Sequence, residues 1–261
     1  MTKYIKYLLI GIITIVGLSS CTSDESDLKG EDSIRYGSFS LGDIQIDEIT
    51  SDIVSVPLSR ANEAVDVNSF HVRIIDSDNQ SIVYEGKISQ LKRTQTHPLE
   101  VGSYEILVSS FTDSAEPIAK ISGPFYQGST TFEIKENLIT DIPIINCTLR
   151  NLKVGIQYSD AIKRHLGSDI KVEITSSPLN GTLTFGTNEG EYGYFKIDKN
   201  NNNSLTTHIE GTIDGSKVSA SQTINDVKAG EFCLFYFDVK TPDAGPWSRS
   251  SSILITHEKY K

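Results

Sequence analysis

Ser103-Tyr104-Glu105-Ile106-Leu107-Val108 carries an apolar side chain at every second position: Tyr104, Ile106 and Val108 fall on one side, Ser103, Glu105 and Leu107 on the other. That period of two belongs to a strand with one face on a core, because successive side chains leave a pleated strand on opposite faces. The same grammar runs upstream in Ser69-Phe70-His71-Val72-Arg73-Ile74-Ile75 and Ser81-Ile82-Val83-Tyr84, and downstream in Thr131-Phe132-Glu133-Ile134. Between the first two of these, Asp76-Ser77-Asp78-Asn79-Gln80 supplies short polar side chains that bond a turning backbone, the chemistry of a hairpin.

The second half repeats the pattern. Leu152-Lys153-Val154-Gly155-Ile156-Gln157-Tyr158, Ile170 to Ile174, Tyr192 to Ile197 and Ser219 to Ile224 all alternate. One helical stretch interrupts them near residues 160–166: Ser159 or Asp160 can cap it, Ile162 and Leu166 share a face, and Gly167 is placed to end it in a left-handed conformation. Short strands at this spacing with one helix define an all-β chain, read as two tandem β-sandwich domains of immunoglobulin-like or transthyretin-like type.

A weak repeat supports the tandem reading. Leu99-Glu100-Val101-Gly102-Ser103-Tyr104 parallels Val227-Lys228-Ala229-Gly230-Glu231-Phe232: an apolar residue, a glycine expected at φ > 0, then an aromatic that opens a strand. The expected organisation is 1–20 a removed leader, 21–33 an acidic tether, 34–147 and 148–240 the sandwiches, and 241–261 a tail or a final strand.

The leader decides the compartment. Lys3 and Lys6 precede an apolar run, Leu8 to Leu18, and Leu18-Ser19-Ser20-Cys21 has the form of a lipobox. The run is shorter than the roughly 20 residues of a membrane-spanning helix, which makes it a signal peptide. Cys21 is then the site of lipidation, its thiol carrying a diacylglycerol and its freed amine a further acyl chain such as palmitate. The membrane is thus a partner through the lipid, as several chains hold far more firmly than one. Thr22-Ser23-Asp24-Glu25-Ser26-Asp27 is too polar to pack and resembles the acidic signal that Bacteroidota place after the lipidated cysteine of outer-leaflet lipoproteins. The expected location is the outer membrane, exposed at the cell surface.

With 34 acidic and 24 basic side chains the formal charge is −10; losing Lys3 and Lys6 with the leader takes it to −12. Nucleic acid is excluded as a partner, because its binders need a basic footprint. Beyond Cys21 only Cys147 and Cys233 remain, each within an apolar strand-like run, where a buried free thiol behaves as a small hydrophobe; a disulfide between them stays open, since the compartment is oxidising.

Catalytic motifs are missing from the sequence. His71, His97, His165, His208 and His257 lack metal-ligand spacing, and there is neither a GxSxG elbow nor a phosphate-binding glycine loop. No cofactor, metal or catalytic residue is assigned. Asp198-Lys199-Asn200-Asn201-Asn202-Asn203-Ser204 opens like a calcium loop, but Asn203 stands where the turn glycine belongs and Ile209 where the bidentate glutamate belongs, which favours a hairpin loop. The candidate contact residues are aromatic: Tyr192 and Tyr194, two apart on one strand, with Trp247 in a Gly-Pro loop, would form a platform for a glycan or a protein partner. Asp32-Ser33-Ile34 and Asp113-Ser114-Ala115 resemble the acceptor tripeptide of Bacteroidota O-glycosylation, making Ser33 and Ser114 candidate modification sites.

Five segments together resemble the DUF4493 lipoproteins of Bacteroides and relatives: Tyr36 to Leu41, Leu58 to Ala61, Glu100 to Tyr104, Gly123 to Gly128 and Glu191 to Phe195. The resemblance spans roughly residues 34–240. It implies a surface-anchored all-β protein laid out like the two-domain fimbrillins, which assemble by strand donation. On this basis the expected function is non-catalytic adhesion or assembly, as a fimbria-like component, with a glycan-binding accessory lipoprotein of a nutrient-uptake system as the alternative.

Overall fold

Tyr104, Ile106 and Val108 all point into a core, as their alternation requires, and the strand that carries them pairs on both sides. The structure is a computed structural model and describes residues 34–47, 65–91, 95–112, 114–240 and 252–261. The leader, Cys21, the tether, Ser33, Asp113 and Trp247 lie outside the described residues, as does Leu58 to Ala61.

Ten strands come first: β1 (Tyr36–Ser40), β2 (Ile44–Asp47), β3 (His71–Asp76), β4 (Ile82–Lys87), β5 (His97–Glu100), β6 (Gly102–Ser109), β7 (Ala119–Ile121), β8 (Tyr126–Ile134), β9 (Ile139–Asp141) and β10 (Ile145–Leu149). β11 (Leu152–Tyr158) leads into an α-helix, α1 (Asp160–Lys163). Then follow β12 (Lys171–Ser177), β13 (Thr182–Phe185), β14 (Gly193–Phe195), β15 (Ser204–Ile213), β16 (Ser216–Asn225), β17 (Phe232–Lys240) and β18 (Ser252–Tyr260). Among the described residues no helix is long and apolar enough to cross a membrane.

The strands form four sheets around two cores. Sheet A runs β5-β1-β9 and sheet B β2-β10-β8-β6-β3-β4, enclosing a core that includes Phe39, Phe70, Ile106 and Cys147. Sheet C runs β18-β17-β11-β14-β7 and sheet D β13-β12-β15-β16, enclosing Val154, Phe195, Ile209, Phe235 and Phe237. Each fully buried aliphatic or phenyl side chain contributes about 1.5–3 kcal/mol. The described residues therefore fold as tandem all-β sandwiches with one short α-helix.

The two sandwiches share a topology. In sheet A, β1 is antiparallel to β5 and parallel to β9; in sheet C, β11 is antiparallel to β14 and parallel to β17. The antiparallel series β8-β6-β3-β4 of sheet B is matched by β16-β15-β12-β13 of sheet D. β6 is thus the counterpart of β15, and β17 of β9. The sequence repeat placed β6 opposite β17, and this is a correction. The two segments share local chemistry, an aromatic opening a strand, without sharing a place in the fold. Only Gly230 has the expected positive φ, at 76°; Gly102 does not, and Tyr104 instead fixes that corner by donating its hydroxyl to the Glu100 carbonyl at 3.0 Å.

Local details follow the polar side chains. The Asp76 carboxylate accepts the Asp78 amide at 2.8 Å, closing the β3–β4 hairpin. The helix ends at Lys163 with Arg164 in a right-handed conformation, so Gly167 does not supply a left-handed stop; it stays small because a Cβ there would press on the Thr212 hydroxyl. Ser159 donates to Asp238 at 2.6 Å and makes no side-chain cap. Asn203 and Asp198 satisfy the 198–203 loop among themselves: Asn203 accepts the Asp198 amide and donates back to the Asp198 carbonyl.

β7 has no counterpart in the repeat. It arises between β6 and β8 of the first sandwich, yet pairs with β14 in sheet C through Ala119↔Phe195, Lys120↔Tyr194 and Ile121↔Gly193. Ala119 and Ile121 pack against the second core. The buried Asn151 side chain donates to the Gly123 carbonyl at 3.0 Å just beyond β7, which ties the junction further. Cys147 and Cys233 are free and buried in separate cores; burial pushes their thiols up to about 11 and about 12 respectively.

Candidate functional site on the outer face of sheet C

β17 carries aromatic or apolar side chains at six successive positions, Phe232 to Phe237, and so on both faces. Cys233, Phe235 and Phe237 enter the core, while Phe232, Leu234 and Tyr236 stand on the outer face. The register of sheet C lays that face out in rows. Tyr194, Lys153, Phe232 and Tyr260 form the first; Gly155, Leu234 and Glu258 the second; Gln157, Tyr236 and Thr256 the third; Asp238 and Leu254 the last.

The first two rows form an aromatic layer. Tyr192 crosses β11 above Gly155, where an added Cβ would come within 3.1 Å of its ring, so the glycine leaves the space that the tyrosine occupies. The Tyr192 ring meets Phe232 edge-on with centroids 5.4 Å apart, and Phe232 stacks on Tyr260 at 5.6 Å. The Lys153 ammonium lies 3.9 Å from the Tyr192 centroid and 5.0 Å from that of Phe232, a cation–π arrangement. Tyr192 and Tyr194 therefore share the outer face, both half-buried, and Lys153 occupies one face of the Tyr192 ring. Trp247 is outside the described residues; the strand ends that flank its segment, Lys240 and Ser252, pair at the end of sheet C carrying Asp238 and Leu254.

Beyond the layer the face opens into a groove of about 370 Å³, lined by Gln157, Ser159, Tyr236, Asp238, Thr256 and Glu258 together with Tyr158, Phe237 and Leu254. Glu258 accepts hydrogen bonds from the hydroxyls of both Tyr236, at 3.3 Å, and Tyr260. Burial, reinforced by the hydrogen bond to Glu258, holds the Tyr260 phenol well above its ordinary range; burial also raises Tyr236. Both phenols are thus protonated at neutral pH and donate to the Glu258 side chain. The Gln157 side-chain oxygen is buried with no hydrogen-bond partner.

The opposite outer face has different chemistry. Across sheet D, Thr182, Thr175, Thr206 and Thr223 form one row, with hydroxyls paired at 3.1 and 3.0 Å, and β16 exposes Lys217, Ser219, Ser221 and Thr223. The threonine hydroxyls of this face satisfy one another. Elsewhere, Ser114 is exposed on the segment between β6 and β7, its hydroxyl 3.3 Å from that of Thr112. Among the described residues no three His, Cys, Asp or Glu side chains converge as a metal site would require.

The family model for a domain of unknown function, DUF4493, matches residues 36–258. The chain belongs to the DUF4493 family. No curated protein matches it. The solved structures similar to this DUF4493 chain include a proposed cell adhesion protein from Bacteroides ovatus, at 10% identity and a TM-score of 0.47, covering 86% of this chain and 97% of that one. Another, from Parabacteroides distasonis and also a proposed cell adhesion protein, has 8% identity, a TM-score of 0.45 and coverage of 86% and 97%. A proposed polysaccharide-binding protein from Bacteroides thetaiotaomicron has 10% identity, a TM-score of 0.42 and coverage of 77% and 92%.

Of the expected platform Tyr192, Tyr194 and Trp247, the first two lie on this face, where they are joined by Lys153, Phe232, Tyr236, Tyr260 and Glu258, which the sequence does not single out. The signal was present in Phe232-Cys233-Leu234-Phe235-Tyr236-Phe237, apolar at both parities, which marks a strand whose outer face also makes contacts.

Proposed function

We propose that this DUF4493 protein is a lipid-anchored protein of the outer membrane, displayed at the cell surface, that works by adhesion or assembly without catalysis. Its contact surface is the outer face of sheet C. The lipobox ending at Cys21 supports the anchor, and the observation that carries the reading is the difference between the two outer faces of the second sandwich. Sheet D presents paired hydroxyls, whereas sheet C carries an aromatic layer, half-buried at Tyr192, Tyr194 and Tyr260 and buried at Phe232, beside a groove bordered by Tyr236, Leu254 and the Asp238 and Glu258 carboxylates. Aromatic side chains give large contact area at little entropic cost, which is why they concentrate where proteins are gripped.

Protease treatment of intact cells tests the location: the protein is expected to be digested while a periplasmic control survives, and protection of both would place it inside the envelope. A second reading, a glycan-binding accessory lipoprotein, is favoured by Tyr192 and Tyr194 sharing the face. It requires the full chain to retain at least one polysaccharide on a glycan array.

A further inference from the structure

The first sandwich has an apolar end. Val101 lies in the corner from β5 to β6, where its amide donates to the Arg35 carbonyl at 2.9 Å, and Leu138 lies in the turn from β8 to β9, where its carbonyl accepts the Ser38 amide at 2.9 Å. The two flank Tyr36, the first residue of β1. Ile139 pairs with Ser38, which places it on the outer face of sheet A together with Tyr36, two residues before Ser38. Tyr36 is 51% exposed, Val101 37%, Leu138 56% and Ile139 62%, so four of the ten exposed large apolar side chains among the described residues gather here. Scattered singly such side chains need no partner; grouped at one end they form a surface that something covers. The charges beside them are mostly paired, Arg35 with Glu136 at 3.5 Å and Lys135 with Glu133 at 3.4 Å, and Glu100 adds one more carboxylate.

Position decides the occupant. β8 runs from Tyr126, paired with Leu149 at the junction with the second sandwich, to Ile134, paired with Gly102 beside Val101. At about 3.3 Å per residue the apolar end is roughly 25–30 Å along β8 from that junction. It is also where the chain arrives from Cys21: residues 22–35 separate that cysteine from Tyr36, and fully extended they span at most about 50 Å. We infer that Tyr36, Val101, Leu138 and Ile139 rest on the lipid surface in which Cys21 is anchored. The contact need not be strong, because the anchor holds lipid at high effective concentration around it. Tyr36 suits such a boundary, with an apolar ring for the acyl region and a hydroxyl for the headgroups. Seated in this way, the protein holds the second sandwich and the outer face of sheet C clear of the membrane. This inference rests on the lipid anchor of the proposed function and adds where the anchored protein meets the bilayer.

The test uses the full lipidated chain in vesicles of phosphatidylcholine and phosphatidylethanolamine, with bimane attached at Val101→Cys, Leu138→Cys or Thr206→Cys and bromine on the acyl chains as quencher. Cys147 and Cys233 are buried and Cys21 is acylated in the anchored chain, so the introduced thiol carries the label. Brominated lipid is expected to quench bimane by about half at Val101→Cys and Leu138→Cys, and by less than about a tenth at Thr206→Cys on the outer face of sheet D. Adding Ile139→Asp to Leu138→Cys is expected to reduce its quenching about twofold or more. Equal quenching at all three positions would overturn the inference, since the tether alone then explains the proximity. Quenching untouched by Ile139→Asp, or its absence at Leu138→Cys, would do the same; if a bis-maleimide instead joins two Leu138→Cys chains, a second copy covers the patch. Flotation with the vesicles reads the anchor separately. A chain that floats without quenching removes the seating alone, whereas one that does not float removes the anchor with it.

Discussion

Phe235→Ala is expected to lower the free energy of unfolding by about 3–5 kcal/mol and the melting midpoint by roughly 10 °C. Phe235 is fully buried at the centre of β17, between β11 on one side and β18 on the other, with the His257 ring 6.4 Å away. Truncation removes the transfer free energy of the phenyl group and leaves a cavity in a sheet whose neighbouring strands are paired over six and nine residues and cannot close on it. Its sequence neighbour supplies the contrast. Tyr236 stands on the other face and is half-buried, so Tyr236→Ala is expected to cost less than about 1.5 kcal/mol. Chemical denaturation of both variants checks this; equal losses would mean that the two faces of β17 are misassigned.

Ile121→Asp is expected to divide one cooperative melting transition into two, with the second sandwich melting first. Ile121 belongs by sequence to the segment between β6 and β8, but it pairs with Gly193 and packs on the second core. A carboxylate there replaces apolar contact with a charge that must regain water, at a cost of about 2–4 kcal/mol, and the escape open to the chain is to release β7. Sheet C then loses its edge and the two sandwiches lose the strand that couples them. Calorimetry should show a single peak for the parent and two for the variant. A single peak for both, shifted by less than a degree, would mean that β7 contributes nothing to coupling.

The sequence revealed those features whose cause is local. Alternation placed Tyr104, Ile106 and Val108 in the core, and Asp76 to Gln80 marked the hairpin because Asx turns are built within a few residues. β7 was silent: three residues at a sheet edge, half-buried and flanked by Pro117 and Gly123, have no periodicity to read, and their partner lies 72 residues downstream, from Ile121 to Gly193. The repeat was real but misaligned, since the eye finds like side chains whereas the fold repeats strand order. At the candidate site, the spacing of Tyr192 and Tyr194 was sufficient to put both on one face. The residues that give the face its chemistry, Lys153 over the Tyr192 ring and Glu258 beneath two phenols, come from strands that meet only in the sheet.

The face itself is tested most directly by cysteine labelling on intact cells. Cys147 and Cys233 are buried and held protonated, so they leave a silent background for introduced thiols. Thr256→Cys places an exposed thiol on the outer face of sheet C, and Thr206→Cys one on that of sheet D. With a membrane-impermeant maleimide, Thr206→Cys is expected to label on cells at the rate seen for the purified protein, while Thr256→Cys labels several-fold more slowly on cells than when purified. Equal rates for Thr256→Cys in the two settings, or selective protection of Thr206→Cys, would contradict the assignment of sheet C as the contact surface.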